Sequence, residues 1–249
     1  MPRARRRAIQ GQVWHITQRC HQREFLLGAR EDRQRWLYWL REARARFGLC
    51  VLNYIVTRNH IHLLVCDGAS GEIAPAMQLV AGRTAQAHNK REGRVGAFWQ
   101  GRYHRTAIQS DHHLVRCMTY IDLNMVRAGA VRHPRDWPES GYFEIHAARH
   151  RPEIIDVGAL CRLTGARDDA DLRARLRRWT EHALRTASLE REPAWTESLA
   201  VGSAAYLRAF GAETRLLWRN REIAQAGDVL CLRDVGASYG APLEIPQRD

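Results

Sequence analysis

The stretch Leu49-Cys50-Val51-Leu52-Asn53-Tyr54-Ile55-Val56-Thr57-Arg58-Asn59-His60-Ile61-His62-Leu63-Leu64-Val65-Cys66 decides the fold. It reads as two apolar segments, 49–57 and 60–66, parted by the polar pair Arg58-Asn59, which is the pattern of an antiparallel hairpin. His60 opens the second strand. Side chains on a strand alternate between faces, so His60 and His62 project the same way, about 7 Å apart along the chain.

Working outward, Gln12-Val13-Trp14-His15-Ile16-Thr17-Gln18 alternates with period two and predicts a strand. Residues 30 to 47 predict a helix, with Trp36, Leu40, Ala43 and Phe47 as its apolar stripe and Arg30, Arg33, Arg41 and Arg44 as a separate basic stripe; Gly48 stops it. Ala69-Ser70-Gly71 precedes a helix from Glu72 to Lys90, with Ile73, Met77 and Val80 on one face. A further strand ends near Gln109. Ser110-Asp111 then caps a helix whose core face is Leu114, Met118, Ile121 and Met125, leaving Arg116, Tyr120, Asn124 and Arg127 on a different, basic face away from the core. This order predicts an α+β fold, a ferredoxin-like antiparallel sheet with helices on it. From about residue 150 the pattern becomes helical, over 156–165, 168–189 and 202–210. The expected organisation is a basic arm at 1–10, a catalytic domain at 11–150 and a mainly helical C-terminal extension at 151–249.

Charge follows the same division. Residues 1 to 150 hold 24 Arg plus Lys against 12 Asp plus Glu, whereas residues 151 to 249 hold 15 of each, so the whole net charge of +12 lies in the first part. Eleven of the 12 histidines lie there too. A clustered positive field attracts polyanions. A genome bias towards arginine is the plainer reading, since Lys90 is the only lysine, but it accounts for the choice of base and not for the asymmetry. Cysteines 20, 50, 66, 117, 161 and 231 show no zinc spacing and read as reduced thiols of a cytosolic protein. No apolar run approaches the roughly 18 residues of a membrane span, and nothing directs the chain out of the cell; the expectation is a bacterial cytoplasmic protein associated with the nucleoid.

Alternating histidines taken alone are the mark of a polar strand face, and a tyrosine in an amphipathic helix is usually packing at a core edge. Together they suggest more. Tyr120 and Asn124, four apart on a helix, share a face. Two imidazoles and an amide can hold a divalent ion beside a phenol, which is equipment for cutting a phosphodiester through a tyrosine-linked intermediate. A phenol with its ordinary pKa near 10 needs neighbouring positive charge, which Arg116 and Arg127 could supply. No carboxylate cluster suited to a two-metal nuclease is present.

These residues also carry a family resemblance. His60-Ile61-His62 resembles the histidine, hydrophobic, histidine signature of the HUH single-tyrosine transposases, and Tyr120-Ile121-Asp122-Leu123-Asn124-Met125-Val126-Arg127-Ala128-Gly129 resembles the catalytic helix of their REP-associated branch. Gly11-Gln12-Val13-Trp14-His15-Ile16-Thr17-Gln18-Arg19 and Trp99-Gln100-Gly101-Arg102-Tyr103 are similar to further motifs of that branch, so the likeness spans roughly residues 1 to 145. It implies that Tyr120 attacks DNA to give a 5′-phosphotyrosine and a free 3′-OH. It also implies that His60, His62 and Asn124 hold Mg²⁺ or Mn²⁺, although many smaller relatives have glutamine at the third position. The implied partner is single-stranded or hairpin-forming DNA, with monomer and homodimer both open.

Arg3, Arg5, Arg6 and Arg7 could follow the DNA backbone or form a solvated charge run. Trp99, Arg102, Tyr103, His104 and Arg105 could offer stacking faces and phosphate donors, with Arg116 and Arg127 as further DNA contacts, the plainer role of the aromatics being core packing. His15 reads as structural, and His112 and His113 as part of a helix start. Two rival functions share the basic surface: a hairpin-binding protein that no longer cuts, and a metal-dependent nucleic-acid hydrolase that uses water.

Overall fold

The computed structural model describes residues 8–147, 153–186, 191–214 and 221–235. The first strand, β1 (Val13–Arg19), leads to helix α1 (Arg30–Phe47), which ends at Gly48 with φ of 70°, a left-handed value suited to glycine. The expected hairpin follows as β2 (Cys50–Val56) and β3 (His60–Cys66), closed by the Thr57 amide donating to the His60 carbonyl at 3.0 Å. Helix α2 (Ile73–Glu92), strand β4 (His104–Ile108) and helix α3 (His112–Asp122) complete the first unit. Its four strands lie in the order β2-β3-β1-β4, all antiparallel to their neighbours, which is the ferredoxin-like arrangement. Both crossovers, β1-α1-β2 and β3-α2-β4, join parallel strands, and the right-handed sense that such connections favour puts both helices on one face, where α1 and α2 meet. Asp32 of α1, 2% exposed, receives both guanidinium nitrogens of Arg91 of α2 at 2.7 Å and lies 3.3 Å from His88, so a buried carboxylate ties the two helices together.

The helix expected from Ser110 to Arg127 is interrupted. α3 ends at Asp122, Leu123 takes a flattened conformation with ψ of 2°, and a single turn, α4 (Asn124–Arg127), follows. The hydrogen bonds Leu123 N to Thr119 O and Arg127 N to Leu123 O carry the helical path across the break, so Tyr120 and Asn124 stay one turn apart. α5 (Gly141–His146) then packs against β2, and it needs glycine at its first position because a Cβ on Gly141 would overlap Asn53 Oδ1 and press on the Tyr54 amide.

The extension contains α6 (Val157–Thr164), α7 (Asp169–Thr186), the short α8 (Ala194–Glu197) and α9 (Ala204–Glu213), with α6 capped by Asp156 and closed by Gly165 as the sequence pattern predicts. It also contributes three strands that the helical reading omits: β5 (Ala200–Val201), β6 (Arg221–Ala226) and β7 (Val229–Asp234). β5 runs parallel to β4, pairing Ala107 with Ala200, and β7 and β6 follow, so the sheet has seven strands in the order β2-β3-β1-β4-β5-β7-β6. The extension therefore continues the sheet of the first unit. No described helix is long and apolar enough to cross a membrane.

Candidate catalytic and metal site

One face of the sheet is polar by alternation. β1 pairs with β3 so that Thr17 lies opposite His62, Arg19 opposite His60 and His15 opposite Leu64, which puts His15, Thr17, Arg19, His60 and His62 on the same side. α3 covers this side and brings the Tyr120 ring edge-on to His62, with centroids 5.8 Å apart, and to His15 at 6.2 Å. The placement of α3 depends on a β-bulge between Val51 and Asn53, which turns the Asn53 amide towards the helix. Asn53 Nδ2 donates to Asp122 Oδ1 at 2.9 Å, while its Oδ1 accepts from the Tyr54 amide. Burial pushes the Asp122 carboxyl up to about 7, with the Asn53 hydrogen bond opposing it.

Hydrogen bonding sets the tautomers of the histidines. The Trp195 carbonyl of α8 can only accept, so His15, whose Nδ1 lies 2.7 Å away, donates from Nδ1 and keeps a lone pair on Nε2. That lone pair lies 2.9 Å from His62 Nδ1, which must therefore carry the proton and leave His62 Nε2 as an acceptor, 3.0 Å from the Asn124 amide nitrogen. His60 reaches the same state by another route. Asn59 Nδ2 donates to the Arg23 carbonyl, which directs Asn59 Oδ1 to His60 Nδ1 at 2.7 Å, so this nitrogen is the protonated one and Nε2 is again the basic one.

Burial is the largest influence on all three rings. It lowers His60 to about 3, helped by Arg19, Arg127 and Arg191, and lowers His15 to about 4 against the pull of the Trp195 carbonyl. His62 is held well below its usual value by burial and then by His60 and His15. Neutral imidazole is the form that binds metal. Burial raises the Tyr120 phenol, and Arg127 and then Arg191 pull it back. Arg127 lies over the Tyr120 ring, 4.1 Å from its centroid, and its Nη2 donates to the Tyr120 carbonyl.

Thr17, Arg19, His60, His62, Tyr120, Asn124, Arg191 and Thr196 line one cavity of about 20 Å³. That is room for one water molecule or one ion, and not for a nucleotide. The four residues expected at the chemical centre, Tyr120, His60, His62 and Asn124, are thus brought together by a single chain. Two imidazole Nε2 atoms and a carboxamide make a neutral donor set that fits a divalent cation and leaves its charge uncompensated.

The surrounding expectations fare differently. Tyr120 is only 5% exposed, because α8 lies over the helix face that the sequence leaves open to solvent. Arg116 is held by the extension, 3.5 Å from Glu192, 3.4 Å from Asp228 and 6.0 Å from the Trp195 ring centroid. His104 is turned to the Ser198 carbonyl at 3.0 Å, and Arg105 lies 4.0 Å from the centroid of Trp14. Arg102 is exposed in the bend before β4. Trp99 takes the packing role, half-buried with its indole nitrogen donating to Ala81 O at 2.9 Å. Arg3, Arg5, Arg6 and Arg7 lie outside the described residues. Asp111, His112 and His113 form a His/Asp cluster, but its geometry is that of a helix cap: Asp111 Oδ1 accepts from the His113 amide at 2.8 Å and from His113 Nδ1 at 2.7 Å.

Sequence reasoning missed Thr17, Arg19, Arg191 and Thr196 as parts of this cavity, and it gave His15 a structural role with no link to His62. The signal for Arg19 was its period-two position after His15 and Thr17. For Arg191, more than 60 residues beyond Tyr120, no local signal existed.

The family described as "Transposase IS200 like" matches residues 8–124. The solved structure of a REP-associated tyrosine transposase bound to a REP hairpin is 19% identical and superposes with a TM-score of 0.50, covering 64% of this chain and 96% of that one, a likeness of fold. A protein from Deinococcus radiodurans R1, described as a "putative transposase", is 18% identical over 49% of this chain and 96% of that one, with a TM-score of 0.35. No curated protein matches significantly. The family match covers the strands, the histidine pair and the tyrosine helix whose geometry is given above; over residues 8–124, a little under half of its length, the chain is similar to the IS200-like transposases.

Proposed function

We propose that this protein is a transposase that cleaves and rejoins single-stranded, hairpin-forming DNA, with Tyr120 as nucleophile and Mg²⁺ or Mn²⁺ held by His60, His62 and Asn124. The observation that carries the reading is the hydrogen bonding that leaves the Nε2 lone pairs of both histidines as their metal-binding atoms in the cavity that holds the Tyr120 side chain. When bound, the ion polarises the scissile phosphate and orients it for in-line attack. The Tyr120 oxygen forms a bond to phosphorus as the bond to the 3′ oxygen breaks; the phenolic proton passes to solvent and the leaving 3′ oxygen takes one from it, giving a 5′-phosphotyrosine and a 3′-OH. Arg127 and Arg191 favour the phenolate and balance charge that builds on the phosphate. Because the tyrosyl ester keeps the phosphodiester energy, a second 3′-OH can displace Tyr120 without a nucleotide cofactor. The cavity is too small for a nucleotide, so the 191–197 segment must shift for a strand to reach Tyr120.

The test uses 3′-end-labelled single strands from the DNA flanking the gene, incubated with the protein and Mg²⁺ or Mn²⁺ and resolved on a denaturing gel. Label moving to protein mass in the wild type and not in Tyr120→Phe is the expected result. Cleavage without an adduct that persists in Tyr120→Phe would identify a hydrolase using water. Binding with neither cleavage nor adduct in either metal would identify a non-cutting hairpin binder.

A further inference from the structure

We propose that His15 is a positioning residue for the metal site, passing the direction of the Trp195 carbonyl through its own ring to fix which nitrogen of His62 faces the metal. The inference rests on the metal reading above and assigns a role to two residues outside the ligand set.

His15 lies on β1 opposite Leu64, so it meets His62 on the diagonal across the strand pair. The two rings are nearly parallel, 16° apart with centroids 5.0 Å apart, and their nitrogens are 2.9 Å from each other. Neither nitrogen alone dictates the direction of the proton between them. The direction comes from the far end, where His15 Nδ1 meets a backbone carbonyl at 2.7 Å that has no proton to give. Each later step is then forced: His15 Nδ1–H to Trp195 O, His62 Nδ1–H to His15 Nε2, and the Asn124 amide N–H to the bare His62 Nε2. Free imidazole in water prefers the opposite tautomer, with its proton on Nε2, which would block this ligand position. A partner that holds the non-ligating nitrogen of a metal-bound histidine fixes ring orientation and basicity, and its loss costs about 10- to 100-fold in metal affinity.

The carbonyl belongs to α8, which is therefore part of the metal site. His15 and His62 are 0% and 3% exposed, so their contact is shielded from bulk water. Glutamine can mimic both functions of the His15 ring, its amide nitrogen donating to Trp195 O and its oxygen accepting from His62 Nδ1–H. Leucine fills similar space and does neither.

Two measurements on the full chain test this. The first is the affinity for Mn²⁺ alone, read by electron paramagnetic resonance, in wild type, His62→Ala, His15→Leu and His15→Gln. Wild type should bind one ion that His62→Ala loses; His15→Leu should bind about 10- to 100-fold more weakly, and His15→Gln should recover most of the loss. Equal affinity in His15→Leu and wild type would overturn the inference, as would His15→Gln being as weak as His15→Leu. No Mn²⁺ bound by wild type would overturn the metal reading and this inference with it. The second is independent of any variant's folding: long-range ¹H–¹⁵N spectra of the metal-free wild type should show both His15 and His62 as the Nδ1–H tautomer. An Nε2–H form at either ring would overturn the positioning role while leaving the metal reading intact.

Discussion

On the proposed reading Tyr120 is the nucleophile, and its surroundings hold the phenol protonated at neutral pH. Burial raises its pKa, so at neutral pH the phenol is protonated, and Arg127 and Arg191 recover only part of that shift. If phenolate is the attacking form, its population grows about tenfold for each pH unit below that raised pKa. Adduct formation in a single turnover should therefore climb with pH through the neutral and mildly alkaline range, and a flat profile would show that another step limits the rate. Replacing Arg127 by Ala removes the guanidinium 4.1 Å from the ring centroid and should slow adduct formation by roughly 100-fold with little change in hairpin binding. An equal loss in both would mean that Arg127 serves the DNA grip and not the chemistry. That His60 and His62 share one face and Tyr120 and Asn124 another was legible from strand and helix periodicity; that the two pairs form one site was implied by the family resemblance. The tautomer relay was not legible, since it needs the register of β1 against β3 and a carbonyl 180 residues from His15.

Elements carry the accuracy of the site. α3 holds Tyr120, and the link between α3 and the sheet is Asn53, which spans from the β2 bulge to the buried Asp122. Substituting Asn53 by Ala leaves that carboxyl without its donor and the Tyr54 amide without its acceptor. The expected cost is about 1–3 kcal/mol of unfolding free energy in urea titrations, together with slower cleavage as α3 loosens. Unchanged stability and rate would mean that packing by Leu114, Met118 and Ile121 suffices to seat the helix. The hairpin β2-β3, both crossover helices and α3 all followed from apolar period and caps. The strands of the extension did not. β5 is only two residues long, and β6, Arg221-Glu222-Ile223-Ala224-Gln225-Ala226, has a weak apolar alternation. The usable signal was Ala226-Gly227-Asp228-Val229, where Gly227 at φ of 58° makes a tight two-residue turn between β6 and β7.

For the whole molecule, the same burial that prepares the site sets a pH limit on stability. His15 is lowered from 6.5 to about 4, and His60 from 6.5 to about 3, in both cases first by burial. His15 also faces His104, and His60 faces Arg19, Arg127 and Arg191, so no neighbour named there favours the protonated ring over the neutral one except the Trp195 carbonyl at His15. The unfolded chain, with ordinary histidines, takes up protons as pH falls below about 6.5, whereas the folded chain does not until nearer 4. Folded values below unfolded ones mean that the stability is fully present above 6.5 and is lost progressively as pH drops from there towards 4 and below. His15 alone, being wholly buried, accounts for roughly 3 kcal/mol across that window as an upper bound. The two rings belong to different strands beneath one helix layer, so their protonation acts on the sheet that joins the first unit to the extension. Thermal melts in chelator should therefore show the melting temperature falling steeply between pH 6.5 and 4, and His15→Gln, which cannot titrate, should flatten part of that fall. Asp122, raised to about 7, works in the opposite direction over the same window, so the decisive comparison is between the two proteins: equal slopes in the wild type and His15→Gln would mean that the His15 ring is hydrated in solution.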